Sequence, residues 1–394
     1  MYYGETEADS SSLYRPWEQS EAARQNGCKR KTINETINKL KSRYTIQFRN
    51  RGYQPEGEIF EPIDGHYVKG ETALVNNQGV TQLKWVKTDT DQQLRRELIL
   101  AAIDKAMDKY TGKSKYVPEL QVTENDIFCF IPIGDAHIGM LAWGLESGSD
   151  FDLKIAERDL MTASARLIES LPACKVCVIA DMGDYYHRNS NKNRTEKSGF
   201  DLDVDGRFEK MLEVGIDVML NMIDTALHKF EQVIVRNIVG NHSPEAEQTM
   251  RVWLKKFYKN NPRVRIEDSP SKFWYYQFGK VLIGAHHGDS IKHNELPMIM
   301  AADVPQLWGD TLFRYMWIGH IHHSTVKEYQ GCTVESVNNL APNDAHHQAI
   351  GYRARKNLQG IVYHRDYGLI ERIVKDISYI RDCQKGIDKL KNAK

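Results

Sequence analysis

Ile127-Phe128-Cys129-Phe130-Ile131-Pro132-Ile133 leads through Gly134 into Asp135-Ala136-His137. An unbroken apolar run of this length, bounded by Gly, reads as a strand buried on both faces. It ends in two residue types that ligate metals. The pattern recurs four times downstream. Val176–Ala180 precedes Gly183-Asp184, and Val233–Val239 precedes Gly240-Asn241-His242. Val281–Ala285 precedes His286-His287-Gly288, and Phe313–Ile318 precedes Gly319-His320-Ile321-His322. One Asp-x-His or His-x-His arises readily by chance. Five such endings in series, each at the C-terminal tip of a strand where open sheets collect their sites, predict one dinuclear centre.

Phosphate-ester hydrolysis explains why these residue types gather. A carboxylate can bridge two cations roughly 3.5–4 Å apart, and such a pair clamps the attacking and leaving oxygens of an in-line displacement. The cations also lower the pKa of a bound water, so that hydroxide is available near neutral pH. Imidazole, carboxylate and amide ligands together suit manganese, iron or zinc better than calcium or magnesium. No thiolate is in the set, which argues against a closed structural zinc site.

The order Asp-x-His, Gly-Asp, Gly-Asn-His, His-Gly, Gly-His-x-His resembles the calcineurin-like metallophosphoesterases, over about Ile127 to Ile373. Gly183-Asp184-Tyr185-Tyr186-His187, with His three residues after Asp, is similar to the family's DNA double-strand-break-repair nucleases. The layout also looks like phage-encoded members that carry a DNA-binding-type helical segment first. The resemblance implies a four-layer α/β/β/α sandwich and two divalent ions, manganese first, with iron or zinc as alternatives. It assigns Asp135, His137, Asp184 and His322 to one metal. Asp184, Asn241, His320 and either His287 or His286 go to the other, with His287 favoured because the family's ligand directly precedes Gly. His242 would steady the transition state or protonate the leaving oxygen. Where the family often has an acidic residue after that His, this chain has Ser243, with Glu245 nearby. His187 reads either as a substrate-facing catalytic group or as a partner orienting a ligand. Asp181 reads as structural support.

Other polar features take plainer readings. His323, His346, His347 and His364 read as ordinary surface or core histidines. Asp201-Leu202-Asp203-Val204-Asp205-Gly206 copies half a calcium loop, but Leu212 stands where the bidentate Glu belongs. A helix N-capped by Asp205 fits better. The polar stretch Asn189–Ser198 reads as a loop overhanging the metals, from which Lys192 and Arg194 could meet a phosphate backbone. Helices are predicted near Asp152–Leu171, Asp205–Phe230 and Glu245–Tyr258. Later strands are predicted at Thr333–Val337, Gly360–His364 and Leu369–Lys375.

The 394 residues balance 53 Lys and Arg against 53 Asp and Glu, so overall charge points to no polyanionic partner. That balance hides a local excess. Glu21–Arg51 holds nine Lys or Arg against two Glu, a net of +7. A short helix from Ser20, a turn at Gly27 and a helix over Lys29–Leu40 have helix-turn-helix spacing, with Lys29, Arg30, Lys31 and Asn34 outward. Gly52–Gly70 reads as a linker, Ala73–Thr88 as a β-hairpin turning at Asn76–Gly79, and Asp89–Lys113 as a helix. The domains expected are thus 1–51, a basic arm; 52–122, linker, hairpin and helix; 123–375, the phosphoesterase domain; and 376–394, a basic tail. Six scattered Cys suggest no disulfide framework. Met1–Ser12 lacks the character of a signal peptide, and no apolar run has membrane-spanning length. A cytoplasmic enzyme is expected, in the host's cytoplasm if phage-encoded, with DNA as partner, no membrane, and homo-oligomerisation left open. The expected activity is phosphodiester hydrolysis by a metal-bridging hydroxide, most simply as a DNA exo- or endonuclease. The alternatives are a phosphomonoesterase or cyclic-nucleotide phosphodiesterase on the same fold, and a non-catalytic DNA-binding protein with a structural metal.

Overall fold

A computed structural model describes residues 45–46, 53–54, 66–75, 81–90, 107–114, 124–195, 199–349 and 351–392. The chain divides into two compact units, Met1–Ile99 and Leu100–Lys394. The helix-turn-helix reading, with Lys29, Arg30, Lys31 and Asn34, lies outside the described residues.

In the first unit, β1 (Thr45–Ile46), β2 (Tyr53–Gln54), β3 (His66–Val75) and β4 (Thr81–Thr90) form one sheet in the order β1-β3-β4-β2. The hairpin pairs Leu74 with Leu83 and Tyr67 with Asp89. It is longer than predicted at both ends. Residues of the expected linker fall in β2 and the start of β3, and Asp89-Thr90, expected to open a helix, end β4. Ladder pairing here overrides Gly/Pro-rich composition and local helical spacing.

The second unit opens with a 3-10 turn, Asp108–Tyr110, and then builds two sheets. β5 (Ile127–Ile133), β6 (Val176–Asp181), β7 (Gln232–Asn237) and β8 (Val264–Glu267) run parallel. Antiparallel β14 (Asn357–His364) and β15 (Gly368–Asp376) complete a six-stranded sheet, β15-β14-β5-β6-β7-β8. The second sheet is five-stranded, β12-β13-β11-β10-β9. In it β10 (Val281–His286), β11 (Phe313–Ile318) and β13 (Cys332–Ser336) run parallel, edged by antiparallel β9 (Trp274–Phe278) and β12 (Thr325–Tyr329).

Alternation along β5 shows why the run is apolar throughout. Cys129, Ile131 and Ile133 join the core beneath the helices, while Phe128 and Phe130 join the core between the sheets. Successive side chains point to opposite faces, and both faces are covered. The helical cover comes from Leu153–Ser170, Phe208–Leu227 and Pro244–Phe257, the crossovers that parallel strands require. Leu296–Asp303 and the turn before Pro305–Asp310 cover the five-stranded sheet. The layers are therefore α/β/β/α, with the sheets facing one another across Phe128, Phe130, Val178, Ile283, Ala285 and Trp317.

Asp152 N-caps the first long helix, its Oδ1 accepting the Ile155 N–H at 2.8 Å. Asp205 does not cap the helix that follows it, whose N-cap is Arg207. Its carboxylate instead accepts the Leu153 N–H at 2.9 Å, serving the first helix from a distant loop. Among the described residues no helix is long and apolar enough to cross a membrane.

Candidate metal centre

The loops after β5, β6, β7, β10 and β11 converge at the C-terminal ends of their strands. Three groups of potential ligand atoms form there among the described residues: two mixed sets, Asp135, His137 and His322, and Asp184, His287 and His320, and an all-imidazole set of His137, His187 and His242. In the first, His137 Nε2 lies 3.2 Å from His322 Nε2, which is 3.3 Å from Asp135 Oδ1. In the second, His287 Nε2 lies 3.1 Å from Asp184 Oδ2 and 3.0 Å from Asn241 Oδ1. His287 Nδ1 donates to the Met182 carbonyl at 2.8 Å, which fixes the ring and turns Nε2 toward those two oxygens. Lone pairs converging with few donors among them are what a divalent cation requires, and the imidazole, carboxylate and amide set fits manganese, iron or zinc.

Strand parity separates the two adjacent histidines. Leu282 faces the helix-covered side of β10, and Ile283 and Ala285 face the other sheet. His286 follows Leu282 in phase, stacks against Phe273 with centroids 4.5 Å apart and accepts the Gly288 N–H through Nδ1. His287 follows Ala285 and enters the Asp184 group.

The backbone reports the same place independently. Asp135, His137, Asp184, His320 and His322 are the non-glycine residues with positive φ among those described, at 31°, 45°, 55°, 65° and 56°. Left-handed backbone is unfavourable for side chains with a Cβ, and such strain concentrates at functional sites. The Gly preceding Asn241 has a separate cause: a Cβ on Gly240 would sit 2.1 Å from Asp184 Oδ1. A Cβ on Gly183, itself at φ 94°, would meet His287 Nδ1 at 2.5 Å.

Hydrogen bonds tie the loops together. The Asp135 carboxylate accepts the His320 N–H, with both oxygens at 3.0 Å. Asp184 Oδ1 accepts the His242 N–H at 2.7 Å, and the His137 N–H donates to the Asp184 carbonyl. His242 Nδ1 lies 3.1 Å from the His187 carbonyl, so Nδ1–H donates there and Nε2 is left for the site. A backbone carbonyl thus orients His242, with neither Ser243 nor Glu245 in that role. His187 Nδ1 lies 3.2 Å from His137 Nδ1, and its ring stacks on His242 at 5.5 Å. His187 Nε2 is buried with no hydrogen-bond partner among the described residues.

Glu247 is the residue sequence reading missed. Fully buried in the first turn of Pro244–Phe257, it accepts the N–H groups of Tyr185 and Gly240 and the Ser243 hydroxyl. It clamps the Gly-Asp loop to the Gly-Asn-His loop. In sequence, its place shortly after Pro244 looks like an ordinary acidic residue at a helix N-terminus, and only the fold reveals the partners. Asp181 accepts the Gly183 N–H and the Asn237 side-chain amide, the supporting place expected of it.

Burial drives Asp181 up to about 7 and Glu247 well above the carboxylate range. It also pushes Asp184 upward, but His287, His242 and His137 outweigh it and hold that carboxylate well below its usual range. Burial likewise pushes His287 down, yet Asp184 and Asp135 raise it to about 10. His137 is held well below 6.5 and His187 at about 3, by burial and then by His242.

Lys192 and Arg194 stand apart from these contacts. Both are exposed, and Arg194 pairs with Asp201 across its own loop at 2.5 Å. His323 contacts the Ile321 carbonyl and the Tyr352 hydroxyl, and His364 accepts the Asp366 N–H.

No protein-family model and no curated protein matches the sequence. Among solved structures, Vacuolar Protein Sorting 29 from Cryptosporidium parvum aligns with 64% of this chain and 100% of its own, at 12% identity and TM-score 0.29. A Streptococcus pneumoniae TIGR4 protein described as a predicted phosphoesterase aligns over 63% of this chain and 98% of its own, at 9% identity and TM-score 0.27. The 5'-nucleotidase from Candida albicans SC5314 aligns over 66% of this chain and 54% of its own length, at 10% identity and TM-score 0.31.

Proposed function

We propose that the protein is a phosphodiester hydrolase dependent on two divalent metal ions, manganese first, and that its substrate is DNA. The observation that carries this reading is the convergence of two His/Asp groups on five strand ends, with left-handed backbone at Asp135, His137, Asp184, His320 and His322. Asp135, His137 and His322 would hold one ion, Asn241, His287 and His320 the other, and Asp184 would bridge them. Such a pair supplies an electrophilic clamp on the phosphoryl oxygens and an ionised water.

The chain's own residues supply the rest. His242, oriented through Nδ1 by the His187 carbonyl, presents Nε2 to the leaving oxygen as proton donor or transition-state partner. His187 is a positioning residue, holding His137 through its ring and His242 through its carbonyl. Glu247 and Asp181 keep the Asp184 loop in register. The nuclease assignment is supported by the Gly183–His187 motif and by the net +7 of Glu21–Arg51. A polynucleotide would be drawn in mainly through phosphate contacts that release counterions.

The test is to strip the metals, restore manganese, and offer single-stranded DNA, duplex DNA, bis(p-nitrophenyl) phosphate and p-nitrophenyl phosphate. DNA cleavage with weak monoester hydrolysis is expected. Deleting Met1–Arg51 should lower DNA cleavage far more than cleavage of the small diester. A protein that prefers the monoester and ignores DNA would be a phosphomonoesterase. One that binds DNA and hydrolyses nothing would be a binding protein with a structural metal.

A further inference from the structure

Resting on that reading, the geometry points to Tyr352–Lys356 as a phosphate-binding strip, with Lys356 on the side of the metal centre to meet the phosphoryl group under attack, and Arg353 and Arg355 on its exposed side to meet the flanking phosphates of a polynucleotide. The sequence is Tyr-Arg-Ala-Arg-Lys, and exposure alternates along it. Tyr352, Ala354 and Lys356 are half-buried, while Arg353 and Arg355 are exposed.

Both ends of the strip are fastened to loops of the metal centre. At one end the Tyr352 hydroxyl donates to the carbonyl of Ile321, the residue between His320 and His322, and its ring lies 6.4 Å from that of His322. At the other, Lys356 Nζ donates to Asn339 Oδ1 at 2.7 Å. Asn339 is buried and its backbone bridges to Gly134, the residue before Asp135. A cation has thereby been brought beside the acidic, metal-ligating loops and held there by an amide oxygen, which leaves its charge uncompensated by that partner. Burial lowers the Lys356 ammonium to about 8, and the Asp135 and Asp344 carboxylates oppose that shift.

Charge also separates this strip from the loop that sequence reading favoured for backbone contact. Arg194 is engaged by Asp201, and Asp203 and Asp205 follow in the same stretch. Arg353 donates through Nη1 to the carbonyls of Tyr352 and Gln348, neutral acceptors that orient it without cancelling its charge.

The experiment uses the full chain with manganese and three variants: Arg353→Ala/Arg355→Ala, Lys356→Met and Lys356→Arg. Binding of a fluorescein-labelled single-stranded oligodeoxynucleotide is followed by anisotropy across a salt series, alongside metal content and hydrolysis of DNA and bis(p-nitrophenyl) phosphate. The double variant should bind about tenfold more weakly at low salt, and its slope of log K against log salt should fall by roughly 0.7 for each phosphate that the two arginines no longer neutralise. Its DNA cleavage should drop at least about tenfold more than its cleavage of the small diester, through KM. Lys356→Met should impair both substrates with metal content at the parent value, and Lys356→Arg should recover most of the activity. An unchanged salt slope in the double variant, or Lys356→Arg as poor as Lys356→Met, overturns the strip. If the parent hydrolyses the small diester but neither binds nor cuts DNA, the nucleic-acid reading has failed in the parent itself, and the strip falls with it.

Discussion

The two halves of the candidate centre solve one problem in opposite electrostatic ways. Around Asp184, carboxylate charge dominates: His287 is raised to about 10, with its Nε2 turned to Asp184 and Asn241. Around His137, imidazoles face imidazoles. Its ring meets those of His187, His242 and His322 at 5.2, 4.9 and 5.0 Å, and burial, followed by those neighbours, holds it well below 6.5. In one half, carboxylates raise the imidazole that faces them. In the other, His137 and His187 are both held below 6.5. His242, the proposed proton donor, and His187, which orients it, adjoin the imidazole half.

The largest effect should come from removing the group assigned to both halves. Asp184→Asn keeps its shape but loses the charge, and hydrolysis should fall by roughly 10³-fold or more with both ions depleted. Loss of a single ion in metal analysis would mean that Asp184 belongs to one half alone. His242→Ala should retain both ions and lose about 10²–10⁴-fold in rate, the usual worth of general acid help. Ion loss in that variant would make His242 a ligand.

A subtler contrast concerns protons. In the metal-free protein His287 lies above its ordinary value of 6.5, so its stabilising charge is fully present below pH 6.5 and is lost as pH rises through about 10. A cation must displace that proton. Affinity at the Asp184 half should therefore climb by about tenfold per pH unit between these limits. His137, held well below 6.5, should add no such dependence above pH 6.5 at the other half. Calorimetry in buffers of different ionisation enthalpy should find about one proton released for the Asp184-half ion at pH 8. Equal release from both halves would erase the contrast. The smallest effect belongs to His286→Ala, which leaves the Gly288 N–H unpaired at a cost of about 1–3 kcal/mol and should shift melting while hydrolysis stays nearly constant.

How far the sequence carried depended on whether a residue's partners were local. Strand β5 is legible to the residue because an apolar run marks it from end to end, and β11 because its run is broken only by Arg314. β9 reads Trp-Tyr-Tyr-Gln-Phe and β12 Thr-Val-Lys-Glu-Tyr, both on a sheet edge and partly exposed, so neither carries a run long enough to notice. That His287 and not His286 lies with Asp184 was legible in principle, through strand parity counted from Leu282. Glu247 and the capping role of Asp205 were not, since their partners lie on other segments. Arg194 looked available in sequence because Asp201, seven residues on, meets it only when the loop closes.

Anomalous diffraction from manganese-soaked crystals would decide whether the two halves form one dinuclear centre. Two peaks roughly 3.5–4 Å apart are expected, one beside Asp135, His137 and His322 and one beside Asn241, His287 and His320, with Asp184 between them. A single peak, or a peak coordinated by His286, would refute the dinuclear assignment.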